Sequence, residues 1–198
     1  MNSASRTVIP ILLTVLAACA APAEPGRMAA SAPVQESPFA STPFATEIAI
    51  AAVGGGEETD PTWTSEVGNG EFREALALSL DRHGVFCPYE ALARYRLEVV
   101  LVELNQPSRG FTFNVTSYVR YKLTRSADGQ VLFDELVSSA GTATIEDAFI
   151  GIERLKIANE RAIQHNIARF LERLEAAPRA EQPVQDTAPR WTASGRST

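Results

Sequence analysis

The sequence predicts an α+β fold, a two-layer sandwich in which a mainly antiparallel four-stranded sheet carries two helices on one face, in the order β-α-β-β-β-α. Three observations predict it. A β-rich apolar run and a short amphipathic helix come first, three alternating runs follow with a tight turn between the last two, and a long amphipathic helix closes the pattern. A sheet with one apolar face needs one cover, and two helices on that face supply it economically.

The elements follow in order. Thr46 to Val53 is a short β-rich apolar run stopped by Gly54-Gly55-Gly56 and reads as the first strand. Glu57 to Gly70 is a polar, glycine-bearing loop in which Trp63 is a candidate lid over the core. Glu71 to His83 reads as a helix, because Phe72, Ala75, Leu76, Ser79 and Leu80 fall on one face; Asn69 or Gly70 opens it and Gly84 closes it. Next, Tyr95, Leu97, Val99 and Leu101 alternate with Arg96, Glu98, Val100 and Val102. The cleanest run sets Phe111, Phe113, Val115, Val119, Tyr121 and Leu123 against Thr112, Asn114, Thr116, Tyr118, Arg120, Lys122 and Thr124, one face buried and one wet. Ala127-Asp128-Gly129 turns the chain into Gln130 to Ser139. There Val131, Phe133 and Val137 mark one face and Leu132 and Leu136 the other, which fits a strand at the end of the sheet or one partly covered on both faces.

Thr144 is expected to cap a helix running to about Glu175, with Glu146 and Asp147 in its first turn and Arg169 and Arg173 near its last turns, where the helix dipole favours those charges. Phe149, Ile152, Leu155, Ala162, Ile163, Ile167, Phe170, Leu171 and Leu174 make its apolar stripe, while Glu153, Lys156, Glu160, Arg161 and Arg169 are expected to ride the outside. Asn159 and Asn166, seven apart on that face, are expected to hydrogen-bond strand backbones and fix the helix register, or else to contact a ligand or partner.

The ends of the chain read differently. Met1 to Thr7 is polar with Arg6 as its one side-chain charge, and Val8 to Ala18 is apolar apart from Thr14. Eleven residues are too few to span a bilayer, which takes roughly 20 in a helix. The run ends in Leu16-Ala17-Ala18-Cys19, a lipobox: cleavage between Ala18 and Cys19 would leave 180 of the 198 residues and expose a cysteine whose thiol and amino group can be acylated. Residues 1–18 are therefore expected to be a lipoprotein signal peptide and 19–43 the lipidated cysteine with a disordered Ala/Pro tether. In Ala20 to Pro43, 15 of 24 residues are Ala, Pro or Ser, and five are prolines. Such a coil would reach about 27 Å. Residues 44–175 are the single folded domain, and 176–198, with three prolines and Trp191, a disordered tail.

Chemistry finds little purchase. A net charge of −6 with no basic stripe argues against nucleic acid. Cys87 has no partner once Cys19 is assigned to lipid, and reads as a small buried apolar residue. His83 and His165 are the only histidines and have no metal-ligand spacing. No Gly-x-Ser-x-Gly elbow is present, and the triple glycine lacks the Lys-Ser/Thr of a phosphate loop and is followed by Glu57-Glu58. The expectation is a non-enzyme without cofactor or metal. The alternative, an enzyme modifying envelope glycan or lipid, would have to use Glu57, Glu58 and Asp60. The wet face of the third strand is either merely solvated or a partner surface, with Tyr118, Arg120 and Lys122 as its candidate contacts for an acidic protein or anionic envelope lipid.

Four segments carry a family likeness: Leu16-Ala17-Ala18-Cys19; Phe72-Arg73-Glu74-Ala75-Leu76 with Leu80; Tyr118-Val119-Arg120-Tyr121-Lys122-Leu123; and Ala158-Asn159-Glu160-Arg161-Ala162 leading to Asn166-Ile167-Ala168-Arg169-Phe170-Leu171. The chain resembles small envelope lipoproteins of the lipopolysaccharide-assembly (LptE-like), YajG-like and transport-auxiliary kinds over most of Thr46 to Leu174. The resemblance implies a non-enzymatic accessory of outer-membrane assembly or of lipid and solute transport, held by its lipid and meeting an envelope protein or lipid. It also implies that Ala20 and Ala21, where retention in the inner membrane would need an acidic residue, send the protein to the outer membrane, facing the periplasm. No binding residue transfers, because no binding motif is matched.

Overall fold

The alternating run that begins at Phe113 sets the frame. The computed structural model describes residues 20–60 and 65–177. Within them, β1 (Ile48–Gly54), β2 (Tyr95–Asn105), β3 (Phe113–Arg125) and β4 (Val131–Ala143) form one sheet in the order β1-β2-β3-β4. β3 buries Phe113, Val115, Ser117, Val119, Tyr121 and Leu123 on one face and leaves Asn114 and Arg120 exposed on the other. β1 and β2 run parallel; the other two pairs are antiparallel. The predicted α+β class and β-α-β-β-β-α order hold, and β4 is an edge strand. The hairpin into β4 turns at Gly129, whose φ of 72° suits a residue without a Cβ.

α2 (Asn69–Arg82) buries Phe72, Ala75, Leu76, Ser79 and Leu80, the predicted face, and the chain leaves it through Gly84 at φ 68°. α3 (Gly151–Ala176) buries Leu155, Ala162, Ile163, Ile167, Phe170, Leu171 and Leu174 as predicted, but it starts six residues later than the sequence suggests. Thr144 and Asp147 close a turn of their own instead: the Thr144 N–H donates to Asp147 Oδ2 at 2.8 Å, and the Asp147 N–H to the Thr144 carbonyl at 3.1 Å. Short polar side chains compete in this way with the helix ladder. Phe149, expected on the buried stripe, is consequently 89% exposed, and Phe111, expected on the buried face of β3, lies before that strand and is 78% exposed.

α3 sits very close to β4. A Cβ added at Gly141 would lie 2.2 Å from the Ala162 nitrogen and 2.3 Å from the Ala158 carbonyl oxygen. Beside this contact Asn166 is wholly buried. Its amide donates to the Val137 carbonyl at 2.9 Å and to Ser117 Oγ at 3.1 Å, and its Oδ1 accepts from the Tyr121 hydroxyl at 3.0 Å. Tyr121 also stacks on Phe170, with ring centroids 4.2 Å apart.

Both sheet edges are occupied. Arg161, His165 and Arg169 donate to the Thr142, Ala140 and Ser138 carbonyls of β4 at 2.6, 2.9 and 2.7 Å. The match is metrical: four helix residues rise about 6 Å and two strand residues about 6.6 Å. On β1, Arg73 donates to the Ile50 and Ala51 carbonyls at 2.9 and 3.3 Å.

The expected tether is the main correction. Residues 20–43 lie against the domain, where Pro25–Met28 forms a short helix, α1, and Met28 and Phe39 are 0% and 1% exposed. Backbone groups find distant partners: the Ala30 N–H donates to Ser79 Oγ, Arg82 donates to the Ala30 carbonyl, and Gln164 to that of Ala29. Two large apolar side chains, each worth roughly 1.5–3 kcal/mol when fully buried, and these bonds hold a segment that its composition marks as coil.

Gly141→Ala should destabilise the domain by about 1–3 kcal/mol, at the upper end because the obstacles are backbone atoms. Urea unfolding monitored by circular dichroism checks this, and an unchanged midpoint would mean that α3 can rise off β4 freely.

Candidate partner surface and the pole at the foot of the long helix

The outer face of the sheet is the surface opposite the helices. Tyr118 is half-buried there, opposite Glu103 on β2 and Ser138 on β4, and Arg120 is exposed between Val100 and Leu136. Arg120 donates to both carboxylate oxygens of Asp134, at 2.7 and 2.9 Å, and Lys122 to Glu98 at 3.2 Å. The hydrogen bond from Arg120 chiefly, with the charges of Arg120 and Lys122, holds the Asp134 carboxyl below its ordinary value. The structure thus brings the three predicted residues onto one face but pairs both cations with carboxylates of neighbouring strands. Exposed pairs of this kind contribute about 0–1 kcal/mol each, and they offset much of the positive charge the face would offer an anionic partner. Val100 and Leu136, 46% and 53% exposed, give the face an apolar element on either side of Arg120.

Cys19 and Ala18, with the whole signal segment, lie outside the described residues, as do Trp63 and Trp191. The described chain begins at Ala20, which is already buried. Glu57, Glu58 and Asp60 are all exposed. Cys87 is a buried free thiol. The ring Nδ1 of His83 meets the Ser79 carbonyl at 2.8 Å and that of His165 the Ala140 carbonyl at 2.9 Å, so both rings hold backbone. Asn166 bonds strand backbone as expected. Asn159 does not; its amide donates to the Ser65 carbonyl at 2.8 Å, in the loop before α2.

Two clusters depart from the sequence reading, which set Lys156 and Glu160 on the outer face of α3 and gave Arg154 no role. In one, Lys156 and Glu160, 5% and 2% exposed, meet the incoming N-terminal segment: Lys156 Nζ lies 2.6 Å from Glu24 Oε1, and Glu160 Oε1 accepts the Glu24 N–H at 2.9 Å. Burial raises the Glu160 carboxyl, opposed by the Glu24 N–H and the charge of Lys156. The four-residue spacing of Lys156 and Glu160 was visible, but their partner lies 132 to 136 residues away.

The other cluster forms the pole at the foot of α3. Arg154, 7% exposed, donates to the Ala148 and Phe149 carbonyls at 2.9 and 2.7 Å and to the Gly110 carbonyl at 3.4 Å, with its guanidinium 5.5 Å from the centre of the Phe113 ring. It stitches the β2–β3 loop to the turn before α3. Beside it opens a recess of about 580 Å³ lined by Phe113, Ile152, Leu155 and Pro107, with Glu66 and Gln106 as polar members. Gln106 donates to Glu66 Oε2 at 3.0 Å, while burial, and then the charge of Glu57, raises the Glu66 carboxyl.

No family model matches the chain, and no curated protein matches its sequence. By structure it is similar to protein XCC0632 from Xanthomonas campestris, described as DUF330, at 11% identity and a TM-score of 0.48, covering 66% of this chain and 83% of that one. A putative lipoprotein from Caulobacter crescentus matches at 17% identity and a TM-score of 0.46 (66% of this chain, 89% of that one). A minor lipoprotein from Acinetobacter baumannii matches at 14% and 0.44 (69% and 97%). Each of these is a likeness of fold at low identity.

Asp147 ties the pole to α3, and its titration should show it. Hydrogen bonding from Arg161 first, and from the Thr144 N–H next, lowers its carboxyl from 3.8 to about 2. A carboxyl held low in the folded state adds stability that is present above its unfolded value and lost as pH falls through the folded one. Wild-type protein should therefore lose stability relative to Asp147→Asn between pH 3.8 and about 2. Parallel urea titrations across that window would refute the assignment if the two curves kept a constant separation.

Proposed function

We propose that this protein is a bacterial envelope lipoprotein, acylated at Cys19 after cleavage at Ala18, and that it acts as a non-catalytic binding module in envelope assembly or transport. The outer membrane, facing the periplasm, is the proposed site. The observation that carries the reading is Leu16-Ala17-Ala18-Cys19 at the end of an eleven-residue apolar run, immediately before the first packed residue, Ala20. The lipoprotein-like fold is in keeping with it. The enzyme alternative relied on Glu57, Glu58 and Asp60; all three are exposed, and Glu57 of them lines a recess, beside Glu66.

Cys19→Ala should abolish incorporation of labelled palmitate and release the chain from the membrane fraction. Continued labelling of that variant would place the lipid elsewhere or nowhere specific. For the partner, the outer sheet face is the proposed contact. Replacing Tyr118, Arg120 and Lys122 together with alanine should abolish recovery of an envelope component in a pulldown from solubilised membranes. The melting temperature should change little, because the pairs lost are solvent-exposed. Undiminished recovery would move the contact to another surface.

A further inference from the structure

We propose that the pole at the foot of α3 is the membrane-facing end of the domain, and that Phe111, Phe149 and Ile150 enter the bilayer that holds the acyl chains of Cys19. The inference rests on the acylation proposed above and adds the orientation of the domain. Phe111, Phe149 and Ile150 are 78%, 89% and 54% exposed, and Ile145, in the same turn as the latter two, is 47% exposed. Two nearly bare phenylalanines from separate loops are held at one end by a buried arginine that bonds the backbone of both loops. Contiguous apolar surface of this kind marks a contact with something other than water.

The path of the N-terminal segment says what that contact is. The segment runs along α3 toward its foot: Ala29 is bonded by Gln164, and Glu24 by Lys156. Farther out, Ala23 donates to the Glu66 carbonyl and Ala21 accepts from Ser65 Oγ. Glu66 is itself a wall of the recess at the pole. Ala20, to which Cys19 is joined, is buried and adjoins Ala21 at this end, so a lipid on Cys19 would be attached there without a free tether. The loop carrying Tyr89 and Leu92 precedes β2 and lies at its other end, roughly 36 Å away along 11 strand residues.

Charge at the pole is mainly acidic: beside exposed Arg109 stand exposed Glu146 and, next to the recess, Glu57 and Glu66. Insertion is therefore driven by apolar burial and gains nothing from anionic lipid. Side chains of this size settle roughly 5–10 Å into the headgroup and acyl boundary. With the pole down, the strands stand steeply on the bilayer and the outer sheet face points sideways into the periplasm, accessible to a protein partner.

The test uses the full chain, acylated in cells, purified from membranes and reconstituted in phosphatidylethanolamine–phosphatidylglycerol vesicles. In a Cys87→Ala background, Phe149→Cys or Leu92→Cys is labelled with a nitrobenzoxadiazole probe, and palmitate content is measured on the same sample. Both native side chains are exposed, so neither substitution removes packing. The probe at position 149 should shift to the blue and lose most of its emission to lipids carrying a doxyl quencher at a shallow position. The probe at position 92 should do neither. Acylated, vesicle-bound protein whose probe at 149 is unquenched overturns the orientation alone. A blue shift without lipid quenching also overturns it, because a second copy or another protein then covers the pole. A chain with Cys19 intact but no palmitate overturns both the anchor and the orientation.

Discussion

The close seat of α3 on β4 is the contact on which the rest of the molecule depends. Glycine at 141 and alanine at 158 and 162 let the helix backbone approach the strand backbone until one methyl group would collide with it. At that distance a short side chain can span the gap, so Asn166 reaches Val137 and Ser117 in the sheet and Tyr121 beyond them. A buried amide left unpaired costs about 1–3 kcal/mol, and sliding α3 by one residue would break every bond Asn166 makes. The small residues determine the distance, and the polar network determines the register.

That register has a second consequence. With α3 in place, Arg161, His165 and Arg169 fall opposite alternate carbonyls of the β4 edge, while Arg73 of α2 occupies carbonyls on β1. Open strand edges are templates for another strand. Here helix side chains occupy these edge carbonyls, which disfavours strand addition there as a mode of recognition. The outer sheet face and the poles remain open to a partner, and both carry exposed apolar side chains.

The strands and the apolar faces of the helices were readable because each reflects a local pattern repeated many times: water on one side, core on the other. What the sequence hid was non-local. Phe149 and Phe111 fit the apolar periodicity of a helix and of a strand, and only the Thr144–Asp147 turn and the late start of β3 put them in solvent. The pairing of Arg120 with Asp134 required the register of a hairpin, whose turn was visible but whose bulge between Leu123 and Thr124 was not. The segment from Ala20 to Pro43 was hidden most completely, because composition reports how much apolar surface a stretch carries but not whether the domain has a groove waiting for it. Met28 and Phe39 suffice, given backbone partners on α2 and α3.

That docking changes what an anchor at Cys19 would do. On a coil with a reach of about 27 Å, a lipidated domain samples all orientations, and no face of it is selected to meet the membrane. With Ala20 buried and Glu24 bonded to Lys156 and Glu160, the attachment point is fixed in the frame of the sheet. Orientation then follows from the fold itself. Lys156 and Glu160 are nearly buried charges whose partner is the entering chain; loss of Glu24 would leave Lys156 a buried cation with Glu160, 3.9 Å away, as its remaining ion-pair partner among the described residues. Glu24 itself is half exposed, so the cost of its loss falls on the buried Lys156 ammonium it leaves behind. The electrostatics that look like a stability device would equally hold an anchor at Cys19 to one end of the domain.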